Sequence, residues 1–248
     1  MTESLMPNSR KCLVGTEIGL KQMVKERVPE GGAIEDTAEL SAEEYSEYMK
    51  KHLKREYREF IDHILKSEVL NPPENAKCLE IGPGPGWIGI WLAEKRPDLT
   101  IIGLEPSSDM RRVAEANAKS CGVFQRVKFV PGYVENMENF SNNQFDLVFS
   151  NESLHHWIDP KQAFLESQRV LKTNGKLFIR DGKRDLGLLE RFVVNVWGRI
   201  LAGKMCKHWK NSLKASYTAE EIQKILDQIP NHNWRVYATF LSLTIESA

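Results

Sequence analysis

A chain of 248 residues, 41% hydrophobic and 27% charged, has the make-up of a globular protein, which excludes collagenous, mucin-like and wholly disordered classes. Thirty-four Lys and Arg balance thirty-four Asp and Glu, so no global field draws the chain to nucleic acid or to an anionic membrane. Cys12, Cys78, Cys121 and Cys206 are scattered without C-x-x-C or Cys/His spacing; neither a disulfide framework nor a metal site is indicated, and reduced thiols in a cytoplasmic protein fit best.

The start, MTESLMPNSRKCLVG, has no apolar signal-peptide core, and no stretch approaches 18 uncharged apolar residues, so no stable membrane insertion is expected. Residues 1–75 read as an N-terminal helical extension. Ser41, followed by Glu43 and Glu44, starts a helix pattern through Tyr45, Tyr48, Leu53, Tyr57, Phe60, Ile61, Ile64 and Leu65, with Asn71-Pro72-Pro73 as its stop. Its tyrosines read as packing of an amphipathic face, with a cap over a bound ligand as the competing reading.

From Lys77 to about Arg180, short apolar runs alternate with helical stretches. The runs are Cys78–Ile81, Ile101–Leu104, Val127–Val130, Asp146–Phe149 and Lys176–Ile179. That alternation predicts an α/β fold, a doubly wound and mostly parallel sheet with helices on both faces. Leu186 to Lys214 reads as one or two amphipathic helices, and 183–215 as a lid inserted into a domain spanning 76–248. Within 183–214, eight Lys and Arg face two acids, Asp185 and Glu190; a basic lid favours an anionic acceptor or a membrane-surface encounter. Thr218 and Glu221 have capping-box spacing. The closing runs, Trp234–Phe240 and Leu241–Ile245, are too close in sequence to be parallel neighbours, so at least one antiparallel strand is expected on that side.

Leu79-Glu80-Ile81-Gly82-Pro83-Gly84-Pro85-Gly86-Trp87 follows the first strand. Alternate glycines let the backbone turn sharply and a ligand approach it closely. The next strand ends at Glu105, 19 residues beyond Gly86, where a carboxylate can accept hydrogen bonds from both hydroxyls of a ribose. Gly84-Pro85-Gly86-Trp87-Ile88-Gly89 formally satisfies the dinucleotide pattern G-x-G-x-x-G. Glu80, however, would set a carboxylate near a pyrophosphate, and suits a cationic ligand better.

With these residues the chain resembles the class I S-adenosylmethionine-dependent methyltransferases, in particular the small-molecule branch of ubiquinone and menaquinone biosynthesis. Glu80–Gly86 looks like the family's E/D-x-G-x-G-x-G motif, and Glu105 like its ribose-binding acid. Val130–Glu135 stands in the place of its third motif, Asp146–Asn151 with Leu154-His155-His156-Trp157 in that of its fourth-strand motif, and Arg169–Leu177 resembles R-V-L-K-P-G-G-x-L. Where the family often has an adenine-contacting acid, this chain has Tyr133, which passes that contact to Glu135 or a backbone carbonyl. The resemblance implies a Rossmann-like sheet of seven strands with an antiparallel C-terminal strand. It implies a cofactor site of Glu80, Gly82, Pro83, Gly84, Gly86, Glu105, Pro106, Met110, Gly132, Tyr133, Val134, Ser150 and Asn151, holding S-adenosylmethionine and releasing S-adenosylhomocysteine.

The expected reaction is in-line methyl transfer to a small molecule, driven mainly by proximity and desolvation. His155, nearer Ser150 and Asn151 than His156 is, would be the general base if one acts. Shaping of the loop after the fourth strand is the competing role for the pair. The alternatives are an S-adenosylmethionine-binding protein without transferase activity and an NAD(P)-dependent oxidoreductase. A nucleic-acid substrate is disfavoured, because Ser150-Asn151-Glu152-Ser153 lacks the N/D-P-P-Y/F/W pattern and the net charge is zero.

Overall fold

The computed structural model describes residues 27–28, 40–201 and 205–248. Helices α1 (Ala42–His52) and α2 (Lys54–Lys66) lead into β1 (Lys77–Ile81), α3 (Trp87–Lys95), β2 (Thr100–Leu104), α4 (Ser108–Ser120), β3 (Val127–Val130) and β4 (Phe145–Asn151). A short 3₁₀ turn, Leu154–His156, precedes α5 (Pro160–Val170) and β5 (Leu171–Gly182). The chain then forms α6 (Leu188–Leu201), α7 (Cys206–Ala215), α8 (Ala219–Leu226), β6 (Trp234–Ala238) and β7 (Ser242–Ser247).

The seven strands form one sheet in the order β3-β2-β1-β4-β5-β7-β6. Strands β1 to β5 are parallel; β7 runs antiparallel to both β5 and β6. The order reverses between β1 and β4, and an open α/β sheet has its crevice at the carboxyl ends of the strands flanking such a point. All five expected parallel runs are strands, and the short link between the last two is the antiparallel hairpin that its length requires.

The central strands are apolar at consecutive positions because both faces are covered. Cys78, Leu147, Phe149 and Phe178 join one core cluster with α1 to α4, while Leu79, Val148, Leu177 and Ile179 join another with α5 and α8. Successive strand residues thus feed opposite layers. On the first face Phe60 of α2 is fully buried, 4.6 Å from the Phe178 ring and 6.3 Å from that of Phe149. Burial of such a ring contributes about 1.5–3 kcal/mol.

The expected single N-terminal helix is two. Ser41 closes a capping box with Glu44, but the helix breaks at Leu53 with no proline or glycine there to announce it. Met49 before the break and Tyr57 after it enter the same core, so packing on the sheet sets the bend. The second helix also stops before the predicted Asn71-Pro72-Pro73. Ser67 Oγ accepts the N–H groups of Val69 and Leu70, which turns the chain out of the helix early. Thr218 and Glu221 form the expected capping box at α8. Among the described residues no helix is long and apolar enough to cross a membrane.

Candidate active site

At the carboxyl edge of β1, β2 and β4 lies a cleft of about 170 Å³. Its floor is the glycine loop and its far side Asn151, Glu152, Ser153 and His156; Tyr45, Met49 and Tyr57 of α1 and α2 wall it. A larger depression of about 490 Å³ lies by Asn71–Pro73, Asp146 and Lys172–Lys176. That one sits at the amino ends of β4 and β5, away from the loops where such sheets bind ligands.

Gly82, Gly84 and Gly86 all have positive φ, at +64°, +52° and +80°. They need glycine for different reasons. A Cβ at Gly82 would stand 2.2 Å from Ser153 Oγ, and one at Gly86 2.6 Å from Phe129 Cζ, whereas one at Gly84 would meet nothing within 4 Å. Gly82 and Gly86 therefore pack the loop down, and Gly84 is the open part of the cradle.

The loop is held from three directions. Glu105 Oε2 accepts Gly84 N–H at 2.9 Å and its Oε1 accepts Ser107 N–H at 3.0 Å, so one carboxylate joins the ends of β1 and β2. Asn117 Nδ2 of α4 donates to Pro85 O at 2.9 Å and to Ser46 Oγ at 3.0 Å. Trp87 Nε1 donates to Ser46 O and Ser46 Oγ, both at 3.1 Å. Helix α1 is thereby bonded to the first turn after the loop.

Glu80 lines the cleft and is 3% exposed. Its Oε2 accepts Gly89 N–H at 3.1 Å, a contact that needs glycine, since a Cβ there would come within 2.4 Å of that oxygen. Burial pushes the Glu80 carboxyl up to about 8; the Gly89 N–H opposes this and the Glu105 charge adds to it. Burial also raises Glu105, against the N–H groups of Ser107 and Gly84. Among the described residues no Lys or Arg lines the cleft. Desolvated carboxylates in such a place call for a cationic or hydrogen-bond-donating occupant.

Of the residues expected at the cofactor, Glu80, Gly82, Pro83, Gly84, Glu105, Pro106, Met110, Tyr133 and Asn151 line the cleft. Gly86, Gly132, Val134 and Ser150 do not. Val134 is in the core, and Ser150 is fully buried, its Oγ donating to Ile81 O at 2.8 Å; both support the crevice from behind. Glu135, the substitute adenine contact, instead accepts Ile158 N–H at 2.8 Å.

The expected base is turned away. His155 is 3% exposed and faces β5, with Nδ1 2.7 Å from Asp181 Oδ1 and its N–H donating to Asp181 Oδ2 at 2.7 Å. The 3₁₀ turn brings His156 to the cleft instead, and burial, with His155 beside it, lowers the His156 imidazole to about 4. Glu152, His155 and Asp181 bring one donor atom each within 4.8 Å of the others. Asp181 accepts from His155 N, His155 Nδ1 and Gly182 N, so His155 and Asp181 are already bonded to each other, and Glu152 stands beside them without a hydrogen bond to either. The sequence reasoning missed Glu152 and Ser153 as cleft residues. Their signal was position, directly after Ser150 and Asn151, which were expected at the cofactor.

The cleft's chemistry and the fold agree with the comparisons to known proteins. A family model described as a methyltransferase domain matches residues 79–179, the span from β1 through β5 that carries the glycine loop, Glu105 and Asn151. Residues 79–179 are therefore similar to a methyltransferase domain. An uncharacterized methyltransferase of Schizosaccharomyces pombe is 27% identical over 164 residues, covering 59% of this chain and 58% of that protein. A demethylmenaquinone methyltransferase of Thermotoga maritima is 29% identical over 132 residues, 51% of this chain and 55% of that one. The chain thus spans a little over half the length of these curated relatives. A solved structure from Methanococcus maripaludis, provisionally described as an S-adenosyl-L-methionine-dependent methyltransferase, superposes with a TM-score of 0.67 at 27% identity, covering 84% of this chain and 91% of that one. These likenesses imply S-adenosylmethionine as the cofactor, and the cleft fits it: an open glycine cradle, a carboxylate at the end of β2 and a buried carboxylate for a cationic group.

Proposed function

We propose that this methyltransferase binds S-adenosylmethionine along the glycine loop and moves its methyl group to a small-molecule acceptor held under α1 and α2, releasing S-adenosylhomocysteine. The observation that carries this reading is the Glu105 carboxylate, buried at the carboxyl end of β2 beside β1 and joined to the loop through Gly84 N–H. A carboxylate fixed in this way keeps lone pairs for two adjacent hydroxyls.

When bound, the cofactor supplies a methyl group on a cationic sulfur that leaves as a neutral thioether. The remaining work falls to the chain. Glu80 would hold the cofactor's ammonium group, Glu105 its ribose hydroxyls, and Met110 and Tyr133 its adenine. Asn151 stands at the methyl end. Its Oδ1 accepts Arg180 Nε–H at 3.0 Å, and because a guanidinium only donates, Nδ2 is the amide atom left for a ligand. That Nδ2 is buried without a partner. Tyr45, Met49 and Tyr57 exclude water over the same end, so acceleration comes from orientation and desolvation.

In this reading the described part of the N-terminal extension, 40–75, caps the site and the described part of 183–215 forms its lid; residues 1–26, 29–39 and 202–204 lie outside the described residues. Leu188, Leu189 and Phe192 of α6 are 79%, 66% and 61% exposed, apolar surface that a closing lid would cover. Parallel calorimetric titrations with S-adenosylmethionine, S-adenosylhomocysteine and NAD test the cofactor assignment. Binding of the first two alone supports it; NAD binding alone overturns it.

A further inference from the structure

Glu152 follows Asn151 at the end of β4 and lines the cleft. Its backbone is left-handed, with φ +55°, a conformation uncommon outside Gly, Asn and Asp and concentrated at functional sites. Its own N–H is used, donating to Arg180 O at 2.9 Å, but its carboxylate receives no hydrogen bond among the described residues. Nearby charges do not neutralise it. Asp181 on β5 and Glu56 on α2 oppose its charge, and His155 and Arg180 favour it; Tyr57 on α2 and His156 on the 3₁₀ turn share the cleft wall. Arg180 is engaged elsewhere, donating to Asn151 Oδ1 and to Glu56 O, with the Glu56 carboxylate 3.9 Å away. The proposed cofactor occupies Glu80 and Glu105, which leaves this third carboxylate, beside the orphaned Asn151 Nδ2, facing the acceptor.

Resting on that cofactor reading, we propose that the acceptor is a small-molecule amine, bound as its ammonium ion against the Glu152 carboxylate, and that Glu152 is the catalytic base that deprotonates it. The geometry supplies what an amine needs and an anion would not tolerate: a carboxylate that accepts no hydrogen bond and no lining Lys or Arg, both among the described residues, and aromatic walls. Glu152 takes one proton from the ammonium. The freed nitrogen lone pair forms the N–C bond to the methyl carbon while the C–S bond breaks, its electron pair passing to sulfur. The products are the N-methylammonium ion, S-adenosylhomocysteine and a proton that Glu152 returns to water. Burial, with Asp181 and Glu56 adding to it, pushes the Glu152 carboxyl up to about 8, close to working pH, as suits a general base.

The test uses the full chain with methyl-labelled S-adenosylmethionine. Phenethylamine, tyramine, histamine, putrescine and ethanolamine are compared with alcohol and thiol counterparts of the same skeletons, and products are located by mass spectrometry. Label transfer to the nitrogen of an amine, at least about 100-fold above its alcohol counterpart, is the expected result. Label carried only by oxygen, sulfur or carbon, or by none of the amines, overturns the proposal. Transfer that EDTA abolishes and Mg²⁺ restores also overturns it, by giving Glu152 to a metal. Glu152→Gln should keep the S-adenosylmethionine Kd within about threefold, lower kcat/KM for the accepted amine about 100-fold or more, and remove the rise of kcat/KM toward pH 8. Glu152→Asp should recover part of the rate. A Gln variant with unchanged kcat/KM and pH profile refutes the role of Glu152, whereas failure of the wild-type chain to bind S-adenosylmethionine defeats the cofactor reading instead.

Discussion

Replacing Glu105 by alanine separates the carboxylate's two jobs, holding the glycine loop and holding the cofactor. The loop loses the acceptor for Gly84 N–H and Ser107 N–H. An unpaired buried N–H costs about 1–3 kcal/mol, and because the cleft is open to water the sum should fall at the lower end, about 2 kcal/mol. A domain with an ordinary stability of about 5–15 kcal/mol stays folded. For the cofactor, loss of hydrogen bonds to a charged group costs about 1.5–3 kcal/mol, or about 12- to 140-fold in Kd at ~1.4 kcal/mol per tenfold. Calorimetric titration with S-adenosylhomocysteine reads the second figure and urea unfolding the first. A folded variant whose affinity falls less than about threefold, under ~0.7 kcal/mol, removes Glu105 from the cofactor site and with it the observation on which the proposed function rests.

Gly82→Ala forces a Cβ to 2.2 Å from Ser153 Oγ in left-handed backbone; the strain alone is about 1–2 kcal/mol, so the melting temperature should drop and S-adenosylhomocysteine affinity fall more than about tenfold, a stable variant that binds normally being the adverse result. Glu80 has a raised carboxyl pKa of about 8, so its contribution to stability is present below the unfolded value near 4.5 and is lost as pH rises to about 8. Urea unfolding between pH 5 and 8 should show stability declining in the wild type and a flatter dependence in Glu80→Gln; parallel curves would show that Glu80 ionises normally. Phe60→Ala empties a site between Phe149 and Phe178 and should cost about 3–5 kcal/mol, measured as a shift of the denaturant midpoint at constant slope.

The glycine loop was legible because its constraint is local. A tight turn after an apolar run needs residues without Cβ, and the acid that ends the next strand sits at a fixed spacing in a βαβ unit. The five parallel strands were equally plain, since burial on both faces writes itself as continuous apolar runs. The histidine pair was harder. Adjacent residues on a short 3₁₀ turn point in different directions, and the sequence did not show that Asp181, 26 positions from His155, would claim that ring and leave His156 at the cleft. Glu152 was hidden for a related reason: its left-handed backbone, which sends the chain from β4 into the turn, has no marker in a residue type that rarely adopts it.

By itself the sequence determined the order and period of the elements, the α/β class, the glycine loop and the acid that ends the next strand, because each depends on residues close together in the chain. The tertiary structure decided what depends on distant residues meeting. It bent the N-terminal helix at Leu53 so that Met49 and Tyr57 reach one core, and bonded Ser46 to Trp87 across 41 residues. It also buried Glu80 and Glu105, and half-buried Glu152, around one cleft with no lining Lys or Arg among the described residues. A sequence with zero net charge states only the sum of its charges. Packing determines which of them lose their water together, and desolvation sets the chemistry of this cleft.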